Sequence, residues 1–343
     1  MIGQRIVLVR HPDGDVQPND FRCEAIELGA PEAGHVLLRT VWLSLDPFIR
    51  LGLSEAPLGG ANAVKPGQVV TGAAVSEVIA SNNPDLPVGV LVEGRTGWQS
   101  HSVSDGTGLR QLEPGETSRS ALSITGLPGL TAHTGMIPIG GVKAGETVVI
   151  TAAAGAVGTI AGQIAKLKGA RVVGSAGGPE KCRWLVDTVG FDAALDYRAD
   201  DYAEQLVRAC PDGADLFLEN VGGRSSDPVY EVLGRGARVA VCGLIALYGR
   251  FDDREAPGPD RLPRLLRNVM GRGLTIRAFS GVPQAEPGAR GELARWMNEG
   301  AIRPFEVVAE GLEAAPAAFA GMFGRNDYFG KVMVRVGDEA AAR

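Results

Sequence analysis

The sequence predicts a two-domain α/β protein in which a mostly β domain is joined to a doubly wound parallel-sheet domain. Three observations predict this fold class. The chain has 343 residues, which is long for one hydrophobic core and suits two domains. Short β-rich segments fill its first third with little helical periodicity. From residue 147 onward, strand-like and helix-like segments alternate, as they do in sheets built from βαβ units.

The first domain is predicted from β-rich segments that Gly, Pro and Asn turns separate, namely "RIVLVR", "HVLLRTVWLSL", "QVVTGAAVSEVIA" and "GVLVEG". They extend to about Leu122. A Pro/Gly-rich junction with one short helix follows in "SITGLPGLTAHTGMIPIGGVKAGE". We expect the second domain to begin there.

The second domain is predicted from apolar runs such as "TVVITA", "RVVGSA", "DLFLENV" and "ARVAVCG", with helical patterns between them that include "PEKCRWLVDTVG" and "SSDPVYEVLG". Runs of Val, Ile and Leu without polar alternation suit parallel strands that are covered on both faces, and right-handed crossovers then give a Rossmann doubly wound sheet. The last segments, "PFEVVAEG", "APAAFAGMFG" and "KVMVRV", predict a strand, a helix and a closing strand. We therefore predict one domain from residues 1–122 and 311–343, and a Rossmann domain from residues 123–310.

Composition and charge argue against several kinds of partner. The formal net charge is −6, without the basic excess that draws a polyanion, so no nucleic acid partner is expected. The four cysteines share no C-x-x-C spacing, which is typical of free thiols in a reducing compartment. No basic segment precedes an apolar stretch at the start, so a cytoplasmic protein is expected. The uncharged stretch between Glu146 and Lys166 is rich in Ala, Gly and Thr, so we expect no membrane span.

A glycine elbow follows the first strand of the second domain. In "AAAGAVG", residues 152–158, Gly155 and Gly158 supply the last two glycines of G-x-G-x-x-G, and Ala152 takes the first position. Small residues at such a strand-to-helix turn let the backbone approach a pyrophosphate, which the helix N-terminus attracts. Because this elbow lies inside a βαβ unit, the sequence predicts a nucleotide site.

The end of the second strand indicates which nucleotide binds. NAD-preferring sites place an Asp or Glu about 20 residues after the glycines, on the ribose 2′-hydroxyl. This chain has "GSAGGPEK" there, without an acid before Glu180, and Lys181 with Arg183 can offer positive charge to a phosphate. NADP(H) is therefore the expected cofactor, although the same two cations could instead be solvated charges on a helix.

Motifs along nearly the whole chain carry a family resemblance. They are "SLDPFIR", "GWQ", "GLPGLTAHTG", "KAGETVVITAAAGAVG", "AGGPEKCRWL", "GFDAALDY", "ENVGG", "VAVCGLIALY" and "FGKVMVRV". The sequence resembles the zinc-independent medium-chain dehydrogenase/reductases, specifically the NADPH-dependent alkenal/enone reductase group that includes prostaglandin reductase, leukotriene B4 dehydrogenase and curcumin reductase. The resemblance implies that the mostly β domain is GroES-like and that the protein is a homodimer.

The resemblance also implies a set of cofactor residues. They are Gly155, Ala156, Val157, Gly158, Lys181, Tyr197, Asn220, Cys242, Gly243, Leu244, Ile245, Leu274, Thr275, Ile276 and Asn326. The first four meet the pyrophosphate, Lys181 and Tyr197 the adenosine phosphate side, and Asn220 the ribose region. The stretch from Cys242 to Tyr248 runs beside the nicotinamide, and residues 274–276 cover it.

Two departures from the family pattern stand out. Family members often have Tyr where this chain has Phe48 in "SLDPFIR", so a hydrogen bond available to some relatives is absent here. The family commonly has Asn two residues before Gly-Lys, whereas Asn326 in "NDYFGK" lies farther upstream.

No metal site is expected. Zinc-dependent relatives need an early Cys and His plus further ligands, and Cys23, His35 and His101 have no ligand-like spacing. His133 either lines the pocket or is a satisfied helix histidine. The active site is expected in the cleft between the domains, and Trp98 either approaches it or belongs to a core.

Without a metal, hydride addition to an activated C=C needs only a positioned nicotinamide and a donor to the enolate oxygen. The sequence therefore predicts NADPH-dependent reduction of α,β-unsaturated ketones or aldehydes that are small and hydrophobic, with hydride transfer to the β-carbon. Tyr248 is the candidate catalytic residue because a phenol donates at neutral pH without changing charge, although it could instead be an aromatic packed beside the nicotinamide. Two alternatives remain: an NADPH:quinone oxidoreductase of the same superfamily, and a non-catalytic NADP(H)-binding protein with a redox-responsive or structural role.

Overall fold

The computed structural model describes residues 1–55, 63–248, 261–280, 284–324 and 328–339. These residues form two compact units. The first takes those within Met1–Leu122 and Glu306–Arg343 together with Tyr248, and the second takes those within Ser123–Leu247 and Asp253–Phe305.

In the described residues the strands are, in chain order, β1 Ile2–Leu8, β2 Phe21–Glu27, β3 Val36–Ser44, β4 Ala74–Ser81, β5 Leu91–Gly94, β6 His101–Ser104, β7 Arg110–Gln111, β8 Thr147–Ile150, β9 Arg171–Ala176, β10 Ala193–Asp196, β11 Ala214–Glu219, β12 Leu233–Val241, β13 Thr275–Ala278, β14 Glu306–Glu310 and β15 Lys331–Arg335. The α-helices are α1 Ile49–Gly52, α2 Ser118–Leu122, α3 Leu127–Thr134, α4 Ala156–Leu167, α5 Pro179–Trp184, α6 Tyr202–Ala209, α7 Val229–Val232, α8 Leu262–Arg272, α9 Ala289–Asn298 and α10 Ala315–Gly321. Within the described ranges, no helix has the length and apolar character needed to cross a bilayer.

The first unit is built around a mixed seven-stranded sheet in the order β14-β15-β3-β4-β5-β7, with β6 also paired to β3. Its neighbouring strands are antiparallel except β14 and β15, which are parallel, and β1 and β2 form a separate antiparallel pair.

Trp98 is fully buried, with its ring centroid 5.3 Å from that of Phe319 and 5.5 Å from that of Phe21. Trp98 is therefore a core residue of this unit.

Two buried cations fix the chain that follows β3. Arg50 donates to three backbone carbonyl oxygens at 3.1–3.3 Å. Lys331 of β15 donates to Asp46 Oδ1 at 2.7 Å and to the Leu45 carbonyl oxygen at 2.6 Å. Because an unpaired buried charge is costly, the Lys331 contacts hold the segment before Phe48 against β15, and the Arg50 contacts hold α1 against the chain at Pro12 and Gly14.

The second unit contains a six-stranded sheet in the order β10-β9-β8-β11-β12-β13, in which every pair is parallel. When the six strands are numbered from β8 as strand 1 to β13 as strand 6, this is the 3-2-1-4-5-6 order of a dinucleotide-binding sheet. The order reverses between β8 and β11, where Val148 pairs with Leu216. The predicted fold class is therefore confirmed.

The parallel strands read as continuous apolar runs because both sheet faces are covered. Val148 and Ile150 pack into one buried cluster, whereas Val149 between them packs into another. Leu216 and Phe217 of β11 divide in the same way. Successive side chains of a strand point to opposite faces, so each face needs its own apolar set.

One predicted helix is much shorter than its sequence pattern. The pattern "SSDPVYEVLG" predicts a helix, but α7 has four residues and β12 begins directly at Leu233. Pro228 disfavours helical conformation in the residue before it, and Leu233 pairs with Ala214 of β11. Sheet pairing therefore ends the helix after one turn.

Candidate nucleotide and active site

The glycine elbow joins β8 to α4. Gly155 caps the helix in an extended conformation, and its amide donates to the Ala152 carbonyl oxygen at 2.9 Å. A Cβ atom on Gly158 would lie 2.5 Å from that oxygen and 2.7 Å from Ala153 Cα, so close packing of helix on strand end requires glycine. The first-turn amides of this 12-residue helix have no helical partner, and with the helix dipole they form a surface that fits a pyrophosphate.

The spacing of the motif needs one correction. Counted back from Gly155 and Gly158, the first glycine of G-x-G-x-x-G falls on Ala153 rather than on Ala152. Ala153 is fully buried, and its amide donates to the Ser175 carbonyl oxygen at 3.0 Å. Ala152 has a φ of +48°, and in the described part of the chain it is the one non-glycine residue with a positive φ. The elbow therefore carries backbone strain at a residue where glycine would be relaxed.

Lys181 lies in α5, the helix after β9, and Tyr197 lies in the loop after β10. Lys181 of α5 is 8% exposed, and the Tyr197 amide donates to the Ala176 carbonyl oxygen at 3.1 Å. Gly178 has a φ of +96°, and its amide donates to Asp196 Oδ1 at 3.0 Å. Both candidate residues thus lie just after the carboxyl ends of adjacent parallel strands, where nucleotides bind in this type of sheet.

Arg198 is a residue that the sequence reasoning missed. A Cβ atom on Gly177 would lie 3.0 Å from Cζ, Nε and Nη2 of Arg198, so this guanidinium covers the turn after β9. Arg183, which the sequence offered as the second cation, is exposed on α5. The signal that could have found Arg198 is a basic residue two positions after the end of β10, the strand next to β9.

The end of β11 is fixed by Glu219 and Asn220. Asn220 Nδ2 donates to the Thr151 carbonyl oxygen at 2.7 Å, and the Asn220 amide donates to Thr151 Oγ1 at 3.0 Å. Glu219 is 2% exposed. Its Oε1 accepts four hydrogen bonds of 2.7–3.1 Å, from Thr151 Oγ1, Val221 N, Gly222 N and Ser226 Oγ. Because β8 and β11 flank the point where the strand order reverses, these bonds fix the centre of the carboxyl edge. Glu219 was not predicted, although an acid at the end of an apolar strand is a signal for it.

A second layer of hydrogen bonds supports the same loop. Tyr202 Oη donates to the Ser225 carbonyl oxygen at 2.9 Å, and Ser175 Oγ lies 3.3 Å from Ser225 Oγ. Burial raises the pKa of Tyr202 to about 12, so its hydroxyl stays protonated and remains a donor. The loop after β11 is thereby held from its far side as well.

Residues 242–245 fold back onto the loop after β11. The Cys242 and Gly243 amides donate to the Glu219 carbonyl oxygen at 2.8 and 3.2 Å, and the Ile245 amide donates to the Asn220 carbonyl oxygen at 3.2 Å. Burial raises the pKa of Cys242 to about 12, so the thiol is neutral at physiological pH. The structure thus brings the predicted segment beside Asn220.

The remaining predicted cofactor residues lie elsewhere. Leu274 is buried and packs in the core of the second unit, and Thr275 and Ile276 begin β13. The residue of β13 that pairs with Val241 at the carboxyl end of β12 is Ala278. Residues 274–276 therefore start the strand rather than end it, and their role at the nicotinamide stays a prediction.

Of two further predicted residues, one ends a described range and the other lies outside the described ranges. Tyr248 is the last described residue before 249–260. Asn326 lies outside the described residues. Phe48 is half-buried, and the Arg95 guanidinium lies 5.2 Å from the centroid of its ring.

Cys23 is a free, exposed thiol, and three histidines each have one ring nitrogen within hydrogen-bond distance of a protein atom. His133 is 1% exposed, and its Nε2 lies 2.9 Å from Glu292 Oε2, whereas its Nδ1 is buried without a hydrogen-bond partner among the described residues. His35 Nδ1 is 3.1 Å from the Ala33 carbonyl oxygen, and His101 Nδ1 is 3.0 Å from Ser100 Oγ. Over the described ranges, no three His, Cys, Asp or Glu side chains gather in a way that could hold a metal ion.

Comparison with known proteins places these features in a family. Residues 4–112 match the model of an N-terminal domain of oxidoreductase, and residues 156–282 match the model described as zinc-binding dehydrogenase. Over 344 residues, which cover 98% of each chain, the sequence is 44% identical to the NADPH-dependent curcumin reductase of Escherichia coli (strain K12). The chain belongs to the medium-chain dehydrogenase/reductase family. It is also 39% identical to prostaglandin reductase 1 of Rattus norvegicus, over 96% of this chain and 97% of that one.

Solved structures of this medium-chain dehydrogenase/reductase family agree with the fold. CurA from Vibrio vulnificus superposes with a TM-score of 0.91 and 38% identity, over 98% of this chain and 100% of that chain. CurA from Vibrio vulnificus in complex with NADPH superposes with a TM-score of 0.90, over 98% and 99% of the two chains. The resemblance found in the sequence motifs is confirmed.

Proposed function

We propose that this protein uses NADPH to reduce the C=C bond of small, hydrophobic α,β-unsaturated ketones and aldehydes. The observation that carries the proposal is the 44% identity to a curcumin reductase along 98% of both chains. Such a match includes the nucleotide elbow, the loops at the carboxyl edge and the first unit together. The proposal therefore concerns the whole protein and not only its nucleotide-binding half.

The residues present fit NADP(H). The elbow at Gly155 and Gly158 suits a pyrophosphate, since only glycine allows the close helix-to-strand packing there. Residues 175–178, where an NAD site would place an acid, are Ser, Ala, Gly and Gly. Lys181 follows them and is mostly buried, so it offers a positive charge in a setting of low dielectric.

We assign the remaining contacts by the position of each residue. Ala156 and Val157 lie in the first turn of α4 and present amides to the pyrophosphate. Tyr197 lies on the adenosine side with Lys181, and Asn220 lies at the ribose. Residues 242–245, which fold onto Asn220, extend toward the nicotinamide.

The chemistry that NADPH supplies when bound is a hydride, which adds to the β-carbon of the substrate. The electron pair of the C=C bond moves toward the carbonyl and leaves an enolate oxygen, and a proton then adds to the α-carbon. Tyr248 Oη donates a hydrogen bond to the developing oxyanion and is the proton source, directly or through water. A phenol suits this role because it donates at neutral pH without first changing its charge.

This reaction needs no metal in our proposal, because a hydrogen-bond donor on the oxyanion takes the place of a Lewis acid. Prolonged dialysis against a chelator should leave the turnover of NADPH with an enone unchanged. Loss of activity that zinc alone restores would contradict the metal-free mechanism.

The decisive experiment compares NADPH and NADH with a panel of enones, enals and quinones, and identifies the products by NMR. We expect a saturated ketone or aldehyde with one new C–H bond at each former alkene carbon. Turnover confined to quinones would establish the quinone reductase, and no turnover with any acceptor would favour a non-catalytic NADP(H)-binding protein. Tyr248→Phe should lower kcat by at least about tenfold, whereas Tyr230→Phe, which removes a hydroxyl elsewhere, should not.

We also propose that the protein acts as a cytoplasmic homodimer. Among the described residues β13 is the last strand of its sheet and all four of its residues are exposed, so in this part of the chain one side of β13 has a row of backbone donors and acceptors without a strand partner. Three apolar side chains recur at intervals of four along α8 and are 56%, 55% and 83% exposed: Leu262, Leu266 and Met270. A second copy related by a two-fold axis would satisfy the strand and cover these side chains.

A further inference from the structure

We propose that Arg198 is a second cation for the 2′-phosphate of NADPH and a determinant of preference for NADPH over NADH. The proposal rests on the proposed use of NADPH and adds a residue to its binding site. In the structure the Arg198 guanidinium lies 3.0 Å from the position that a Cβ atom of residue 177 would take.

The guanidinium lies over the backbone of Gly177. A Cβ atom there would be equally far, 3.0 Å, from Cζ, Nε and Nη2 of Arg198, and these are the three nearest heavy atoms. A point equally distant from three atoms of one planar group lies above its plane rather than beside its edge. One face of Arg198 thus covers the turn at which an acid would select NAD.

The backbone around Arg198 is fixed at several points. Its amide donates to Asp196 Oδ1 at 3.0 Å, and the same oxygen accepts the Gly178 amide at 3.0 Å. One carboxylate oxygen therefore joins the loop after β9 to the loop after β10. The carbonyl oxygen of Arg198 accepts a bond from Arg224 Nη2 at 3.2 Å, and its guanidinium lies 5.7 Å from the Tyr197 ring centroid.

The charges around this turn favour an anion. Arg198 is exposed, and within the described ranges its guanidinium forms no ion pair with a carboxylate. Asp200, the acid two residues farther along, lies 3.9 Å from Arg224 instead. The N–H groups of Arg198 are therefore available to a ligand. A guanidinium fork matches two oxygens of a phosphate monoester, whereas Lys181 contributes a compact positive charge.

The test uses two ligands that differ only by the 2′-phosphate, 2′,5′-ADP and 5′-AMP, titrated into the full chain by calorimetry. Arg198→Gln should weaken the binding of 2′,5′-ADP about tenfold or more and change that of 5′-AMP by less than about twofold. Arg208→Gln is the matched control, because it removes an exposed arginine from the last turn of α6, and it should change the binding of neither ligand. Thermal melting of each variant verifies that it is folded.

A second measurement reads the phosphate directly. A nearby cation lowers the pKa of a phosphate, so the 2′-phosphate of bound 2′,5′-ADP should titrate at a higher pH in Arg198→Gln than in the parent, as followed by ³¹P NMR. Arg198→Lys, which keeps the charge without the fork, should lie between the two.

Three results would overturn the proposal: unchanged affinity of Arg198→Gln for 2′,5′-ADP, an equal loss for both ligands, or the same loss in Arg208→Gln. The second result would make Arg198 a contact of the adenosine rather than of its phosphate. None of these measurements requires an enone, so failure of the proposed reductase activity and failure of this assignment remain distinguishable.

Discussion

Gly158 packs so closely on Ala152 that a Cβ atom at Gly158 would lie 2.5 Å from the Ala152 carbonyl oxygen. Backbone atoms on both sides of this contact leave little room to adjust. Gly158→Ala should therefore shift the start of α4, destabilise the protein by about 1–3 kcal/mol and weaken NADPH binding. Urea unfolding and fluorescence titration with NADPH measure the two effects.

Gly271 is the control for this substitution. It lies within α8, and a Cβ there meets no atom within 4 Å. Gly271→Ala should leave NADPH binding unchanged and stabilise the protein by up to about 1 kcal/mol, because alanine favours helix. Equal NADPH affinity in Gly158→Ala and the parent would contradict the proposed role of the elbow.

Glu219 should act on the cofactor through the loop that it holds. Glu219→Gln keeps the shape but replaces a charged acceptor of four hydrogen bonds, one of them the 2.7 Å bond from Ser226 Oγ, with a neutral one. We expect a loss of about 1–3 kcal/mol in stability and a larger increase in the KM for NADPH than decrease in kcat. Steady-state kinetics at varied NADPH concentrations measures the change in KM and the change in kcat separately.

The exposed Glu204 of α6 provides the comparison for Glu219. Glu204→Gln should match the parent in stability and in both kinetic constants. If Glu219→Gln lost stability but kept the parent KM for NADPH, Glu219 would be a structural residue without influence on the cofactor loop.

Glu146 should make part of the stability depend on pH. Burial alone would raise the pKa of Glu146, but two bonds from Arg238 of 2.7 and 2.8 Å and the Lys143 amide lower it. A lowered folded-state pKa stabilises the protein above the unfolded value of about 4.3, and this stabilisation is lost as pH falls through the folded-state pKa. Glu146→Gln should thus cost about 1–3 kcal/mol at pH 7 and progressively less in acid.

Urea unfolding of the parent and Glu146→Gln across this pH range measures that difference. Glu299→Gln is the matched control, since Glu299 pairs with Arg295 but is 53% exposed, and it should change stability by less than about 0.5 kcal/mol at any pH. A deficit in Glu146→Gln that stays constant down to pH 3 would show that the ion pair is not its cause.

The apolar row on α8 should hold the proposed dimer together. Leu266→Glu places a charge on that row and should shift the protein from dimer to monomer in light scattering after gel filtration. Val207 of α6 is 60% exposed and lies on a different helix, so Val207→Glu should leave the dimer intact. A monomeric parent protein would refute the dimer itself.

Much of the second unit's fold was predictable because each parallel strand is buried on both faces. Val148, Val149 and Ile150 are all apolar for that reason, and the run marks a strand without any alternation. The one-turn length of α7 was not predictable from its own residues. It depends on the pairing of Leu233 with Ala214, which lie on different strands.

Some residues of the candidate site could likewise be predicted from the sequence, and others could not. The elbow and Asn220 were predicted because glycine spacing and a polar residue after an apolar run are local signals. The covering of Gly177 by Arg198 and the bond from Thr151 Oγ1 to Glu219 Oε1 join residues 21 and 68 positions apart, so no local pattern encodes these contacts. Motif counting also placed the first glycine position on Ala152, where the structure instead has the strained φ of +48°.

The sequence by itself determined the fold class and the family, because burial on both strand faces and close backbone packing at the elbow restrict which residue types can occur. It also determined that no acid stands at the turn after β9. Only the tertiary structure decided which arginine covers that turn and which carboxylate fixes the loop of Asn220. The physical reason is that charge and hydrogen-bond pairing depend on distances of a few ångströms, and the order of parallel strands brings Gly177 and Arg198 together across a helix and a strand.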